Sequence, residues 1–269
     1  MARTLKGQRI VVVGASAGIG REFALGAVRD GAEVLLAARR EDRLKELAAE
    51  AGGGIPVALD IVDPASCAAL AERVKAEFGS VDLVLVSAGY SPLRFFHEAT
   101  QDDWRRVLEV NVIGIHQLIR TLLPVASPAG LFAVMSSEST LQPRHALGVY
   151  TASKAALELS MKVWRQEQPT QRFTTLVIGG TFPTDFAADF DVERLIPAMD
   201  DWARHGAIQE ELMTPEQVAD VLLGTLASIV DVPGVSLDQI VIRSPSAVVG
   251  SSQHLQESSQ DNIAAINAK

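Results

Sequence analysis

The stretch "RIVVVGASAGIGREFA", Arg9 to Ala24, decides the fold. Ile10 to Val13 form an unbroken apolar run, the pattern of a strand covered on both faces rather than one. The run ends at Gly14, and Gly18 and Gly20 follow within the next turn and a half. From Ile19 onward the apolar positions take helical spacing, so the segment reads strand, glycine-rich turn, helix. Working outward, six more short apolar runs occupy residues 32–38, 55–61, 81–88, 131–137, 173–180 and 239–243. The longer stretches between them carry helix-start signals. Asp63 precedes Pro64, Thr100 precedes Asp103 at capping-box spacing, and Thr214-Pro215 is followed by Gln217. This alternation predicts an α/β fold: a doubly wound parallel sheet of about seven strands, with helices on both faces and right-handed crossovers.

Bulk properties narrow the classes of partner. The chain has 269 residues, 48% of them hydrophobic, and a formal net charge of −9. Nucleic acid and an anionic membrane are therefore not expected as partners. The single cysteine, Cys67, excludes an intramolecular disulfide and lies in an amphipathic stretch, where it reads as packing. No apolar run reaches the roughly 18 residues of a membrane span. The first residues, "MARTLKGQRIVVVG", lack a hydrophobic leader with a cleavage site. A soluble, cytoplasmic protein is the expectation. The five histidines have no ligand spacing with one another or with Cys67, so no metal site is expected.

No repeat or linker interrupts residues 1–245, which are expected to form one Rossmann-type domain. Within it, residues 182–213 break the strand–helix rhythm and carry aromatic and aliphatic residues among acids, the composition of a substrate loop or lid. Residues 246–269 are rich in Ser, Gln and Asn and read as a poorly packed polar extension.

The three glycines have distinct uses. Gly14 permits a tight turn out of the strand, Gly18 lets backbone approach a pyrophosphate, and Gly20 allows close helix–sheet packing. A helix N-terminus that follows such a turn offers unpaired N–H groups to phosphates, so a dinucleotide is expected. The corner after the second strand indicates which one. NAD sites of this fold carry an acid there, on the ribose 2′-OH. Here the strand ends Ala37-Ala38 and Arg39 and Arg40 follow, which suits the 2′-phosphate of NADP and makes NAD the less favoured cofactor.

Tyr150 and Lys154 stand four apart in a helical stretch and so share a face. A cation within about 4–6 Å favours phenolate, so the lysine is expected to draw the tyrosine down from its usual value near ~10. Ser137 ends a strand at the carboxyl edge of the sheet, where ligands bind in such folds.

The spacing Gly14-x-x-x-Gly18-x-Gly20, with Ser137 and Tyr150-x-x-x-Lys154, resembles the short-chain dehydrogenase/reductase family over roughly residues 5–245. The resemblance implies hydride transfer between NADP(H) and a carbonyl or secondary alcohol, with Tyr150 as acid/base and Ser137 on the same substrate oxygen. It implies that Lys154 also holds the nicotinamide ribose and that Asn111 holds a water feeding protons toward Lys154. It sets Asp60, at the end of the third strand, beside the adenine, and Thr184 near the carboxamide. By the same resemblance, Ile19, Ile61, Ala88, Gly89 and Gly180 are expected to complete the cofactor wall. Arg39 aligns with the position that meets the 2′-phosphate; Arg40 is available to stack on adenine, and Ser16 to add a hydroxyl. Val13, Ser87 and Gly179 depart from the family's usual Thr, Asn and Pro. Reduction of 3-oxoacyl thioesters is an alternative, weakened by Val149 where such reductases usually have asparagine. A cofactor-binding regulator on the same fold is the alternative outside enzymes. Arg144 and His145, just before the catalytic helix, are candidates to line the pocket, with surface exposure the favoured reading. The resemblance also implies a homodimer or homotetramer, packed through the helices near residues 103–123 and 149–168.

Overall fold

The computed structural model describes residues 4–188 and 190–248. Seven parallel strands form one sheet in the order β3-β2-β1-β4-β5-β6-β7. They are β1 (Arg9–Val13), β2 (Glu33–Ala38), β3 (Ile55–Ala58), β4 (Val81–Val86), β5 (Ala126–Ser137), β6 (Arg172–Ile178) and β7 (Gln239–Ile242). The order reverses between β1 and β4, and in open parallel sheets the crevice at that switch point is where ligands bind. Successive β1 residues supply two separate cores. Ile10 and Val12 face the layer that includes Phe23 and Leu222, whereas Val11 and Val13 face the layer that includes Leu70 and Leu118. A strand buried on both faces has no position for a polar side chain, which accounts for the unbroken apolar run.

The helices are α1 (Gly18–Arg29), α2 (Glu41–Ala51), α3 (Pro64–Phe78), α4 (Gln101–Leu108), α5 (Ile115–Leu122), α6 (Gly148–Glu167), α7 (Val192–Arg204) and α8 (Pro215–Val230). The caps expected from sequence form. Asp63 accepts from the Ala65 N–H at 2.9 Å, and both Thr100/Asp103 and Thr214/Gln217 close reciprocal capping boxes. In contrast, α1 is preceded by Ala17, whose side chain makes no capping bond.

Two expectations need correction. Asp60 does not end the third strand. The ladder stops at Ala58, and the Asp60 carboxylate turns back on the Val62 N–H at 3.0 Å, an Asx turn that takes the chain off the sheet. The polar extension is not loose at its start. The Glu210 N–H donates to the Ala247 carbonyl at 2.9 Å, and Ser246 exchanges hydrogen bonds with the Glu211 backbone. Residues 249–269 lie outside the described residues. Cys67 is fully buried, and desolvation pushes its thiol up to about 11. No described helix is long and apolar enough to cross a membrane, and no described cluster of His, Cys, Asp and Glu could hold a metal ion.

Candidate active site

A cavity of about 1010 Å³ opens at the carboxyl edge of the sheet. Every residue assigned from sequence to cofactor or catalysis lines it, with two exceptions, Gly20 and Asn111. Both exceptions act from behind the wall. A Cβ on Gly20 would stand 2.5 Å from the Gly14 carbonyl oxygen, so only glycine lets α1 pack onto the turn. Gly14 has φ of +88°, and a Cβ there would meet the Ala88 nitrogen at 2.8 Å. The β1–α1 turn is thus pressed against the β4 exit and leaves a groove that side chains would fill. Above it lies the uncapped start of α1, with Ala17, Gly18 and Ile19 on the cavity wall. These features fit a dinucleotide: backbone close enough to reach a pyrophosphate, and helix N–H groups not claimed by a capping side chain.

Asn111 sits in a six-residue π-helical turn, Glu109–Gly114, between α4 and α5. Wide turns of this kind recur at functional sites. Its amide accepts from the Tyr90 N–H at 2.8 Å and donates to the Tyr90 carbonyl at 2.8 Å and to Ser153 Oγ at 3.0 Å. The side chain therefore clamps the β4 exit loop to α6. The clamp holds Gly89 near Lys154, where a Cβ on Gly89 would lie 3.5 Å from Nζ.

Ser137, Tyr150 and Lys154 converge on the cavity as their spacing requires. Ser137 ends β5, and Tyr150 and Lys154 share one face of α6. Lys154 Nζ lies 5.7 Å from the centre of the Tyr150 ring and donates to the Met135 carbonyl at 2.9 Å. Both residues are buried. The expected depression of the tyrosine is not what this geometry gives. Burial pushes the phenol up to about 12, opposed by the Ser137 hydroxyl and the Arg144 guanidinium. The physical reason is that desolvation outweighs the nearby charges. Burial likewise draws the Lys154 ammonium down to about 8, against the pull of Glu158. Glu158 in turn accepts from Ser136 Oγ at 2.6 Å and Thr140 Oγ1 at 2.8 Å, which accounts for the serine beside Ser137.

Arg144, read from sequence mainly as a surface residue, keeps only 12% of its side chain exposed and lines the cavity. Its guanidinium pairs with buried Glu138 at 3.0 Å and donates to the Ala207 carbonyl at 2.9 Å. A Cβ on Gly179 would stand 3.0 Å from the same Glu138 carboxylate. Glycine at this position thus makes room for a buried ion pair beside the phenol. His145 stays half-exposed, with Nδ1 2.5 Å from Asp201 on α7. Tyr90 lines the cavity under the Arg106 guanidinium, 4.4 Å from its ring centre. Gln142 turns outward onto the His205 and Gly206 carbonyls.

The 182–213 segment forms the far wall. Phe186 leans on the Tyr150 ring, centroids 5.0 Å apart, and Phe190 packs edge-on to Phe186 at 5.3 Å. Trp202 and Met199 on α7 continue this wall. At the end of the cavity beyond β2, Arg40 donates through Nη2 to Ser16 Oγ at 2.9 Å, while Arg39 lines the same corner. Neither arginine pairs with Glu41, which binds Lys45 instead.

The sequence pattern of the family described as short chain dehydrogenase matches residues 8–193. The chain belongs to the short-chain dehydrogenase/reductase family. It is 36% identical to the uncharacterized oxidoreductase YciK of Escherichia coli K12 over 195 residues, 68% of this chain and 77% of that one. It is 30% identical over 230 residues to the glycine betaine reductase ATRR of Emericella nidulans, covering 82% of this chain but 18% of that longer protein. Among solved structures, a short chain dehydrogenase from Shigella flexneri 2a complexed with NADP matches with a TM-score of 0.71 at 30% identity, over 83% of this chain and 93% of that one.

Proposed function

We propose that this protein is an NADP(H)-dependent carbonyl reductase, also able to run in the alcohol-oxidising direction. The observation that carries the reading is the convergence of Ser137, Tyr150 and Lys154 on one cavity with the glycine turn and the Ser16–Arg40 corner. When bound, the nicotinamide supplies or accepts the hydride. The chain's own residues handle the proton. With its phenol held near 12, Tyr150 is protonated at neutral pH and suited to donate to the oxygen of a reduced carbonyl. Ser137 would donate to the same oxygen. Lys154 would hold the ribose and favour phenolate after proton transfer. Asn111 acts here as a positioning residue through Tyr90 and Ser153. Residues 182–213 act as the substrate lid, and the aromatic wall of Phe186, Phe190 and Trp202 favours a bulky apolar substrate over a small polar one. Cofactor contacts go to Gly14, Gly18, Ile19, Arg39, Arg40, Asp60, Ile61, Ala88, Gly89, Gly180 and Thr184. The apolar residues exposed at Ile113, Leu159 and Val163 support self-association through the α4–α6 face.

The test is binding of both dinucleotides. Charge-assisted hydrogen bonds contribute roughly 1.5–3 kcal/mol each, so NADP(H) should bind the unaltered protein more than ~10-fold tighter than NAD(H). Arg40→Ala and Arg39→Ala should each erode that ratio, with NAD(H) binding little changed. Equal or tighter NAD(H) binding to the unaltered protein overturns the cofactor reading.

A further inference from the structure

The arginine at the 2′-phosphate corner is already engaged, by a residue on the opposite side of the cleft. Arg40 Nη1 meets Asp185 Oδ2 at 2.6 Å, and Arg43 Nη1 meets the same oxygen at 3.1 Å. Arg40 Nε and Nη2 face Ser16 Oγ at 3.3 and 2.9 Å. Asp185 lies near the start of the lid segment, one residue after Thr184, and both residues line the cavity. The strand-end position that holds an acid in NAD sites is Ala38 in this chain. A carboxylate nevertheless reaches the same corner, from 145 residues away.

We propose that Asp185 is a cofactor-selecting residue, a lid-borne acid that competes with the 2′-phosphate of NADP(H) for Arg40. The inference rests on the reading of Ser16, Arg39 and Arg40 as the phosphate corner. A phosphate monoester carries about −1.5 to −2 at neutral pH and would have to take donors that now serve Asp185. Arg43 keeps the carboxylate at the corner even after Arg40 turns away, so the two anions remain neighbours and repel. A plain 2′-hydroxyl feels no such repulsion and can donate to a carboxylate, as it does to the usual strand-end acid. Asp185 therefore narrows a preference that the arginines alone would make wider. It also links the phosphate to the lid: each 2′-phosphate bound weakens one tether of residues 182–188.

The probes are 2′,5′-ADP and 5′-AMP, which share the adenosine end and differ in the 2′-phosphate, titrated on the full chain. Asp185→Asn should tighten 2′,5′-ADP by about three- to five-fold, the upper range for exposed ion pairs. It should leave 5′-AMP within about two-fold, and Asp185→Glu should keep the parent ratio. Because the pair is exposed, the gain should shrink in 1 M salt. If the unaltered protein prefers 2′,5′-ADP and Asp185→Asn does not tighten it, or tightens 5′-AMP equally, the competition is refuted while the phosphate corner stands. If the unaltered protein shows no preference for 2′,5′-ADP, the corner reading fails, and this inference with it.

Discussion

Replacing Tyr150 by Phe is expected to lower kcat for carbonyl reduction by at least ~10²-fold, the scale of a lost general acid. The substitution removes one oxygen and keeps the ring that packs on Phe186. Dinucleotide Kd values should stay within about three-fold, and stability should change by no more than about 1 kcal/mol, since the phenol's partners are few. The residual rate should lose any pH dependence that belongs to the phenol. A variant with near-normal kcat would remove Tyr150 from the chemistry.

Lys154 gives the other large effect, and it has two signs. A buried ammonium held near 8 rather than 10.5 costs the native state roughly 3 kcal/mol at neutral pH, at about 1.4 kcal/mol per unit. Lys154→Met removes that cost but leaves the Met135 carbonyl without its donor, a loss of about 1–3 kcal/mol. The variant should therefore be as stable as the parent at pH 7, or up to about 2 kcal/mol more stable, while losing kcat/KM by at least ~10²-fold. The pH dependence separates this from ordinary repacking. Below pH 8 the lysine is charged in both folded and unfolded states, and the burial cost is complete. Between pH 8 and 10.5 the unfolded chain retains a proton that the folded one has released, so parent stability gains with rising pH and the variant's does not. Denaturant midpoints for both proteins from pH 7 to 10.5 should move in the parent's favour across that window. A pH-independent difference would contradict the buried-charge argument.

The sheet and its ligand edge were legible because burial on both faces leaves a one-dimensional signature: unbroken runs such as Ile10 to Val13, punctuated by Gly14 and the caps at Asp63, Thr100 and Thr214. Local spacing also carried the Tyr150–Lys154 pair, since helix geometry fixes what lies four residues on. Features that depend on distant partners were not legible. Arg144 looks like any exposed arginine until Glu138 and the Ala207 carbonyl enclose it; the sole hint was glycine at 179, which leaves space for the carboxylate. The Arg40–Asp185 contact joins segments 145 residues apart and has no periodic trace. The direction of the Tyr150 shift is not legible in the sequence, because charge spacing can be read there and desolvation cannot. Burial is a property of the closed site, and at this depth it prevails.

NADPH-dependent reduction of a carbonyl is tested by following NADPH oxidation by absorbance, with the unaltered protein and a panel of bulky apolar ketones and aldehydes, with 3-oxoacyl thioesters included. Carbonyl-dependent turnover with NADPH is expected on at least one apolar member, and none with Tyr150→Phe. Tight NADPH binding without turnover on any carbonyl would contradict it, and would mark the protein as a dinucleotide-binding regulator on a catalytic fold.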